Sequence, residues 1–234
     1  MTTVVILQPS YLPWLGFFDQ FDRSDVFVFY DDVQFDKNGW RNRNRIKGPM
    51  GATWLTVPVR QSGRAGQAIM DVEIDQSRPW AVKHLRSLRQ FYARSPFLGR
   101  YMDGIEEVLC RPWSRLVDLD IELSLRLCGM IGLDREVHRA SALGIGGDRS
   151  SRLVNICRHF GATRYLSGMA AISYLQGDLF AEAGIEIQFQ DYLHPVYPQQ
   201  FGEFVSHLAV VDLLFNAGPD ALRLIRAGAA ALPG

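Results

Sequence analysis

The chain is short of cysteine, has no surplus of charge and contains no long apolar run. Each absence removes a class of protein. Cys110, Cys128 and Cys157 stand far apart and form no CxxC. An odd, scattered set does not make a disulfide framework and fits a reducing compartment. The five histidines form no HxH or HxxxH pair, so metal-ligand spacing is missing and no metal is expected. Basic and acidic residues number 25 each, which gives no general attraction to nucleic acid or anionic lipid. No stretch reaches the roughly 18 apolar residues of a membrane span. The N-terminus lacks the basic segment, apolar core and small-residue cleavage site of a secretory signal. The expectation is a cytoplasmic protein that binds neither nucleic acid nor membrane.

What is present begins with two apolar runs. Val4 to Leu7 ends abruptly in Gln8-Pro9, and Val26 to Tyr30 stops on two carboxylates, Asp31 and Asp32. Short apolar runs bounded by Pro, Gly or charge read as buried strands. Between them lie a loop holding Tyr11, Pro13, Trp14 and Gly16 and an amphipathic segment, Leu15 to Phe21, which completes a βαβ unit. Ligands of open α/β sheets bind at the C-terminal edge of the strands. Gln8 and the Asp pair are therefore expected to form one wall of a site.

A basic stretch follows, with Lys37, Arg41, Arg43, Arg45 and Lys47 interleaved with Asn38, Asn42 and Asn44. An extended chain would put the arginines on one face and the asparagines on the other. A row of planar guanidinium forks suits a phosphate or carboxylate, and Arg43, the central one, is the expected direct contact. A solvated charged loop is the alternative.

Ala52 to Arg60 and Met70 to Ile74 read as strands. From Trp80 the period becomes helical, through Leu98 to Leu109 and Trp113 to Ile131. The α/β rhythm then returns. Glu136 to Ala140 reads as a strand, Ser150 to Phe160 as a helix, and Arg164 to Leu166 as a strand ending in Ser167-Gly168. Ala170 to Ala183 reads as a helix, Ile185 to Phe189 as a strand, and Pro219 to Gly234 as an Ala-rich helical tail. The expected fold is α/β, a mostly parallel Rossmann-like sheet with flanking helices. Residues 1–77 and 134–234 would form its core and 78–133 a helical insertion or subdomain.

Several groups could carry chemistry. Ser150-Ser151-Arg152 opens a helix, either as a plain N-cap or as a phosphate site. The Gly-rich loop before it, Gly144 to Asp148, matches neither GxGxxG nor a Walker A sequence. Of the Asp pair, Asp32 is preferred, because Gln34 lies on its side. His194 sits in an aromatic loop, Tyr192 to Tyr197, beyond a strand end. His84, His159 and His207 read as helix-face residues, and Cys157 as a small core residue.

Six motifs in order make the chain recognisable: Gln-Pro-Ser-Tyr-Leu-Pro-Trp-Leu-Gly (8–16), Asp-Asp-Val-Gln (31–34), Trp-Arg-Asn-Arg-Asn-Arg-Ile (40–46), Trp-Leu-Thr-Val-Pro-Val (54–59), Tyr-Leu-Ser-Gly (165–168) and Asp-Leu-Leu-Phe-Asn-Ala-Gly (212–218). With these the chain resembles the WbqC-like protein family from end to end. The resemblance implies a biosynthetic transferase moving an acyl or aminoacyl group onto an amine, such as an amino sugar or small metabolite. The donor would be a coenzyme A or carrier-protein phosphopantetheine thioester, with no resident cofactor. On that reading Asp32 or His194 takes the amine proton, and a backbone N–H or Asn44 steadies the oxyanion. Arg41, Arg43 and Arg45 hold phosphates, and Gln8, Tyr11, Gln34, Ser151, Arg152 and Ser167 bind substrate. Two alternatives stand beside it. One is a HIGH-like nucleotidyltransferase, with Asp31 and Asp32 on Mg²⁺ and Ser150 to Arg152 on phosphate. The other is a non-catalytic subunit binding a sugar nucleotide or carrier protein.

Overall fold

β1 (Thr3–Leu7) is the middle of a five-stranded sheet in the computed structural model, which describes residues 1–229. Its side chains alternate between two buried faces, so a continuous apolar run is what the position requires. α1 (Leu15–Arg23) returns the chain to β2 (Val26–Phe29), parallel to β1 with Val5 opposite Phe27 and Leu7 opposite Phe29. The chain then leaves the sheet. β3 (Arg43–Gly48) and β4 (Gly51–Thr56) form a separate antiparallel hairpin. Three helices follow, α2 (Trp80–Phe91), α3 (Leu98–Leu109) and α4 (Leu116–Ile131). β5 (Glu136–Arg139) rejoins the sheet beside β2. After α5 (Ala140–Leu143) and α6 (Arg149–His159), β6 (Arg164–Gly168) pairs with the free edge of β1. α7 (Gly177–Glu182), β7 (Glu186–Gln190), α8 (Val210–Ala217) and α9 (Ala221–Gly228) complete the chain.

The strand order is β5-β2-β1-β6-β7, with every neighbouring pair parallel. The chain steps outward from β1 in one direction and later resumes on its other side. The order therefore reverses between β1 and β6, which opens a crevice at their C-terminal ends. Alternation sorts the core into two layers. Val5, Phe27 and Phe29 face α1, α2–α4 and α8, whereas Val4, Ile6 and Val28 face α6 and α7. The helices of 78–133 bury Leu85, Leu88, Ile105 and Leu123 in the same cluster as the sheet. Truncating a ring at the heart of that cluster, such as Phe27, would cost about 3–5 kcal/mol.

Three segments depart from the sequence reading. Met70 to Ile74 is not a strand. It opens with a single 3₁₀ turn, Ile69–Asp71, and ends in isolated bridges of Glu73 to Arg115 and Ile74 to Val59, with Ile69, Val72 and Ile74 buried. Ala170 to Ala183 breaks in two, a 3₁₀ turn at Met169–Ser173 and then α7. At the break the Gln176 N–H donates to Ser150 Oγ (3.1 Å) rather than to a helical carbonyl. α8 went unseen because all of Val210 to Asn216 is buried, so no helical period shows. Its Asp212 carboxylate accepts from Tyr92 Oη (2.7 Å), Tyr197 Oη (2.9 Å) and Gln199 Nε2 (2.8 Å), which anchors the loop ahead of it. The expected tail helix is present as α9, and its last part, 230–234, lies outside the described residues.

Candidate functional site

Three backbone hydrogen bonds draw distant loops to the end of β1. The Tyr11 N–H donates to the Arg41 carbonyl (3.0 Å), Val210 N–H to Pro13 (2.9 Å) and Ala209 N–H to Arg45 (2.8 Å). The loop after β1 thus meets the segment leading into β3 and the loop before α8. Leu12 holds a left-handed φ of 45°, unusual for a branched side chain. Its carbonyl is pinned by Asn44 Nδ2 at 2.6 Å. At position 16 a Cβ would overlap the Trp14 indole, so glycine lets that ring lie across the start of α1.

Two cavities adjoin here. The smaller, about 310 Å³, is lined by aromatic rings, Trp14, Phe17, Trp40 and His207 among them. The larger, about 580 Å³, occupies the crevice between β1 and β6 and is lined by Tyr30, Arg149, Ser150, Tyr165, Ser167 and Tyr174. They share Leu7, Gln8 and Arg41. The Gln8 amide makes no hydrogen bond among the described residues, and Arg41 has only a loose ion pair with Asp36 at 3.6 Å. Arg41 Nε is buried without an acceptor. Burial lowers the guanidinium pKa, against the nearby charges of Asp36 and Asp120, yet an arginine stays cationic. Asp120, in α4, is fully buried with neither oxygen paired, and burial pushes its carboxyl well above the usual range.

The expected residues divide. Gln8, Arg41, Asn44 and Ser167 line the cavities. Asn44 is already spent: its Nδ2 donates to the Leu12 (2.6 Å) and Tyr11 (3.4 Å) carbonyls, and its Oδ1 accepts from the Arg45 N–H (2.8 Å). It shapes the loop and has no free donor for an oxyanion. Arg43 lies outside both cavities, with its guanidinium over the Trp54 ring at 4.5 Å and a donor on the Asn38 carbonyl. The alternation of Arg and Asn across β3 holds, but the strand runs away from the sheet edge. Arg41, two residues earlier, is the one that reaches the junction. Arg45 lies over Trp40 and Trp54, 5.5 and 5.7 Å from their centroids.

Tyr11 is wholly buried, and its hydroxyl pairs with His84 Nδ1 at 2.8 Å. Its side chain belongs to the core because the loop turns inward at Leu12. Asp31 accepts from the Ser141 N–H (2.9 Å), Ser141 Oγ (2.7 Å) and Arg139 Nε (2.8 Å). Asp32 is gripped by Arg152 through both oxygens. Neither carboxylate is free to act as a base. Gln34 is exposed and lines neither cavity. Ser151 closes a capping box with the N-cap Asp148, the structural option of the two. Among the described residues no group of three or more His, Cys, Asp or Glu could hold a metal ion.

His194 stands behind the aromatic cavity, nearly parallel to Trp14 with centroids 6.5 Å apart. Burial lowers its pKa, and its Nδ1 contacts the Pro195 carbonyl (3.0 Å). His207 was missed as a site residue. It is no helix-face residue but sits in a loop at φ 57°, stacked on Trp14 at 5.1 Å and 5.1 Å from His194. No local spacing announces it, because the backbone bonds from Ala209 and Val210 deliver it. Trp14 and Trp40 stand within the motifs at 8–16 and 40–46, and nothing in their spacing marks them as cavity residues.

Fold and site together define a Rossmann-like α/β protein with a two-chambered cleft at the switch point of its sheet. The chain belongs to the WbqC-like protein family, whose profile matches residues 8–224. It is 36% identical over 231 residues to an uncharacterized protein of Mycobacterium tuberculosis (strain ATCC 25618 / H37Rv), Rv1507c, covering 97% of this chain and 100% of that one. No solved structure matches. Among the described residues, no helix is long and apolar enough to cross a membrane.

Proposed function

We propose that the chain is a two-substrate transferase that moves an acyl or aminoacyl group from a thioester to an amine. The observation that carries this reading is that two unlike cavities share Gln8 and Arg41, whose side chains make no hydrogen bond among the described residues, Arg41 keeping only its loose ion pair with Asp36. The larger cavity suits the donor. Arg149 at the first turn of α6 favours phosphates, and the tyrosine and serine lining suits a pantetheine arm. A coenzyme A thioester and the arm of an acyl or peptidyl carrier protein present the same chemistry. The aromatic cavity takes the amine.

The amine nitrogen attacks the thioester carbonyl where the cavities meet. The Arg41 guanidinium and Gln8 Nε2 donate to the thioester carbonyl oxygen and to the oxyanion it becomes. His207, at the amine's wall, accepts the proton displaced from nitrogen. The tetrahedral intermediate collapses, the C–S bond breaks, and the thiolate leaves with that proton. His194 supports Trp14 and His207 from behind. Scattered unpaired cysteines and a thioester donor both suit the cytoplasm.

Incubation with a panel of coenzyme A thioesters and amines, read by free-thiol release and mass spectrometry, tests the reading. One thiol per amide, released only when the amine is present, is expected. No amine-dependent release across the panel would contradict it.

A further inference from the structure

Gln190, at the end of β7, has its amide orientation fixed by its neighbours. Nε2 donates to the Gly16 carbonyl (2.8 Å) and to Asp19 Oδ2 (2.6 Å). A carbonyl and a carboxylate only accept, so nitrogen and oxygen cannot be exchanged. Gln190 Oε1 must therefore accept, and it does so from Gln20 Nε2 at 2.8 Å. That bond fixes Gln20 in turn, and its own Oε1 is the end of the chain. This oxygen is buried with no donor, in a residue 5% exposed that lines the aromatic cavity. Leaving an amide carbonyl unsatisfied in the interior costs about 1–3 kcal/mol. Where such a group belongs to a residue in a cavity wall, a ligand can supply the donor.

We propose that Gln20 selects the acceptor, and that the acceptor is a small primary amine giving one N–H to Gln20 Oε1. This rests on the transferase reading and names its acceptor subsite. A neutral primary amine has two hydrogens and a lone pair. One hydrogen goes to Gln20, the other is lost to His207, and the lone pair attacks the thioester. The remaining N–H stays on Gln20 as the amide forms. A cavity of about 310 Å³ lies at the small end of ligand sites. Trp14 and Trp40 give its wall aromatic carbon. A 2-amino-2-deoxy sugar is a primary amine of that size and serves as the probe.

The test is calorimetric titration of such an amino sugar and its N,N-dimethyl derivative, at a pH above the amine's own pKa, alongside melting curves. Wild type should bind the primary amine about tenfold or more tightly than the dimethyl form, which has no N–H to give. Gln20→Met keeps the volume and should lose the discrimination. Comparable binding of the two by wild type, discrimination that survives in Gln20→Met, or no binding of the amino sugar would overturn the assignment. The wild-type comparison is independent of whether the variant folds. Discrimination without any amine-dependent thiol release would keep the subsite and discard the transfer reaction.

Discussion

Asp32 and Arg152 form a two-pronged ion pair, with Oδ1 2.9 Å from Nη1 and Oδ2 on Nη2, both side chains 16% exposed. Arg152 also lies over the Tyr30 ring at 5.2 Å. The pair ties the end of β2 to α6, next to the larger cavity. Asp32 is thus a strut, and its position at a strand end does not make it a base.

Asp32→Asn leaves a half-buried guanidinium without its counter-charge. The expected loss is roughly 2–4 kcal/mol of stability, toward the lower end of broken buried pairs because some solvent reaches it. Denaturant titration should record that loss, with amine-dependent thiol release per folded molecule retained. A collapse of turnover with unchanged stability would restore Asp32 as a catalytic group.

Arg41 and Arg43 should separate cleanly. Arg41→Lys keeps the charge and loses the planar fork at the junction of the cavities. A charged hydrogen bond is worth roughly 1.5–3 kcal/mol, so thioester affinity should fall about ten- to a hundredfold. Arg43→Lys should leave affinity unchanged, since its guanidinium is stacked on Trp54. Calorimetry with an S-(2-oxoalkyl)-coenzyme A, a thioether analogue that keeps a carbonyl but has no scissile acyl–sulfur bond, reads both. Equal losses would mean that the whole basic hairpin, not the junction, holds the ligand.

That contrast marks how far the sequence reaches. The strand ends at Gln8 and Asp31 were readable because short apolar runs meet Pro or charge at once. The facing of Arg and Asn was readable because a strand has period two. Which arginine enters the cleft was not, because β3 pairs with β4 instead of joining the sheet. His207 was invisible for a similar reason. Its carbonyl takes a donor from Arg45 Nη2 (3.3 Å), 162 residues earlier, a relation that no local pattern encodes. Asn44 and Ser151 look like ligand-binding residues in sequence, and only their hydrogen bonds show that they are already used.

The Tyr11–His84 pair should write itself into the pH dependence of stability. Burial lowers His84 to about 4, against the helping bond to the Thr56 backbone. Its unfolded value is near 6.5. A depressed folded pKa means the unfolded chain binds the extra proton between those values. Stability is therefore full above 6.5 and falls as pH drops toward 4, by up to about 1.4 kcal/mol per unit. Replacing both partners, Tyr11→Phe with His84→Leu, should remove this share of the acid loss. Melting curves of the two proteins that stay parallel from pH 7 to 4 would refute the assignment.

The central claim is that two different ligands meet at Gln8 and Arg41. The most direct measurement titrates wild type, Trp14→Ala, Ser167→Ala and Gln8→Ala with two probes, the thioether analogue and the amine found active in thiol release. Trp14 lines only the aromatic cavity, Ser167 only the larger one, and Gln8 both. Trp14→Ala should weaken the amine alone, Ser167→Ala the thioether alone, and Gln8→Ala both. Loss of the same ligand in the Trp14 and Ser167 variants, or independence of both ligands from Gln8, would contradict the account.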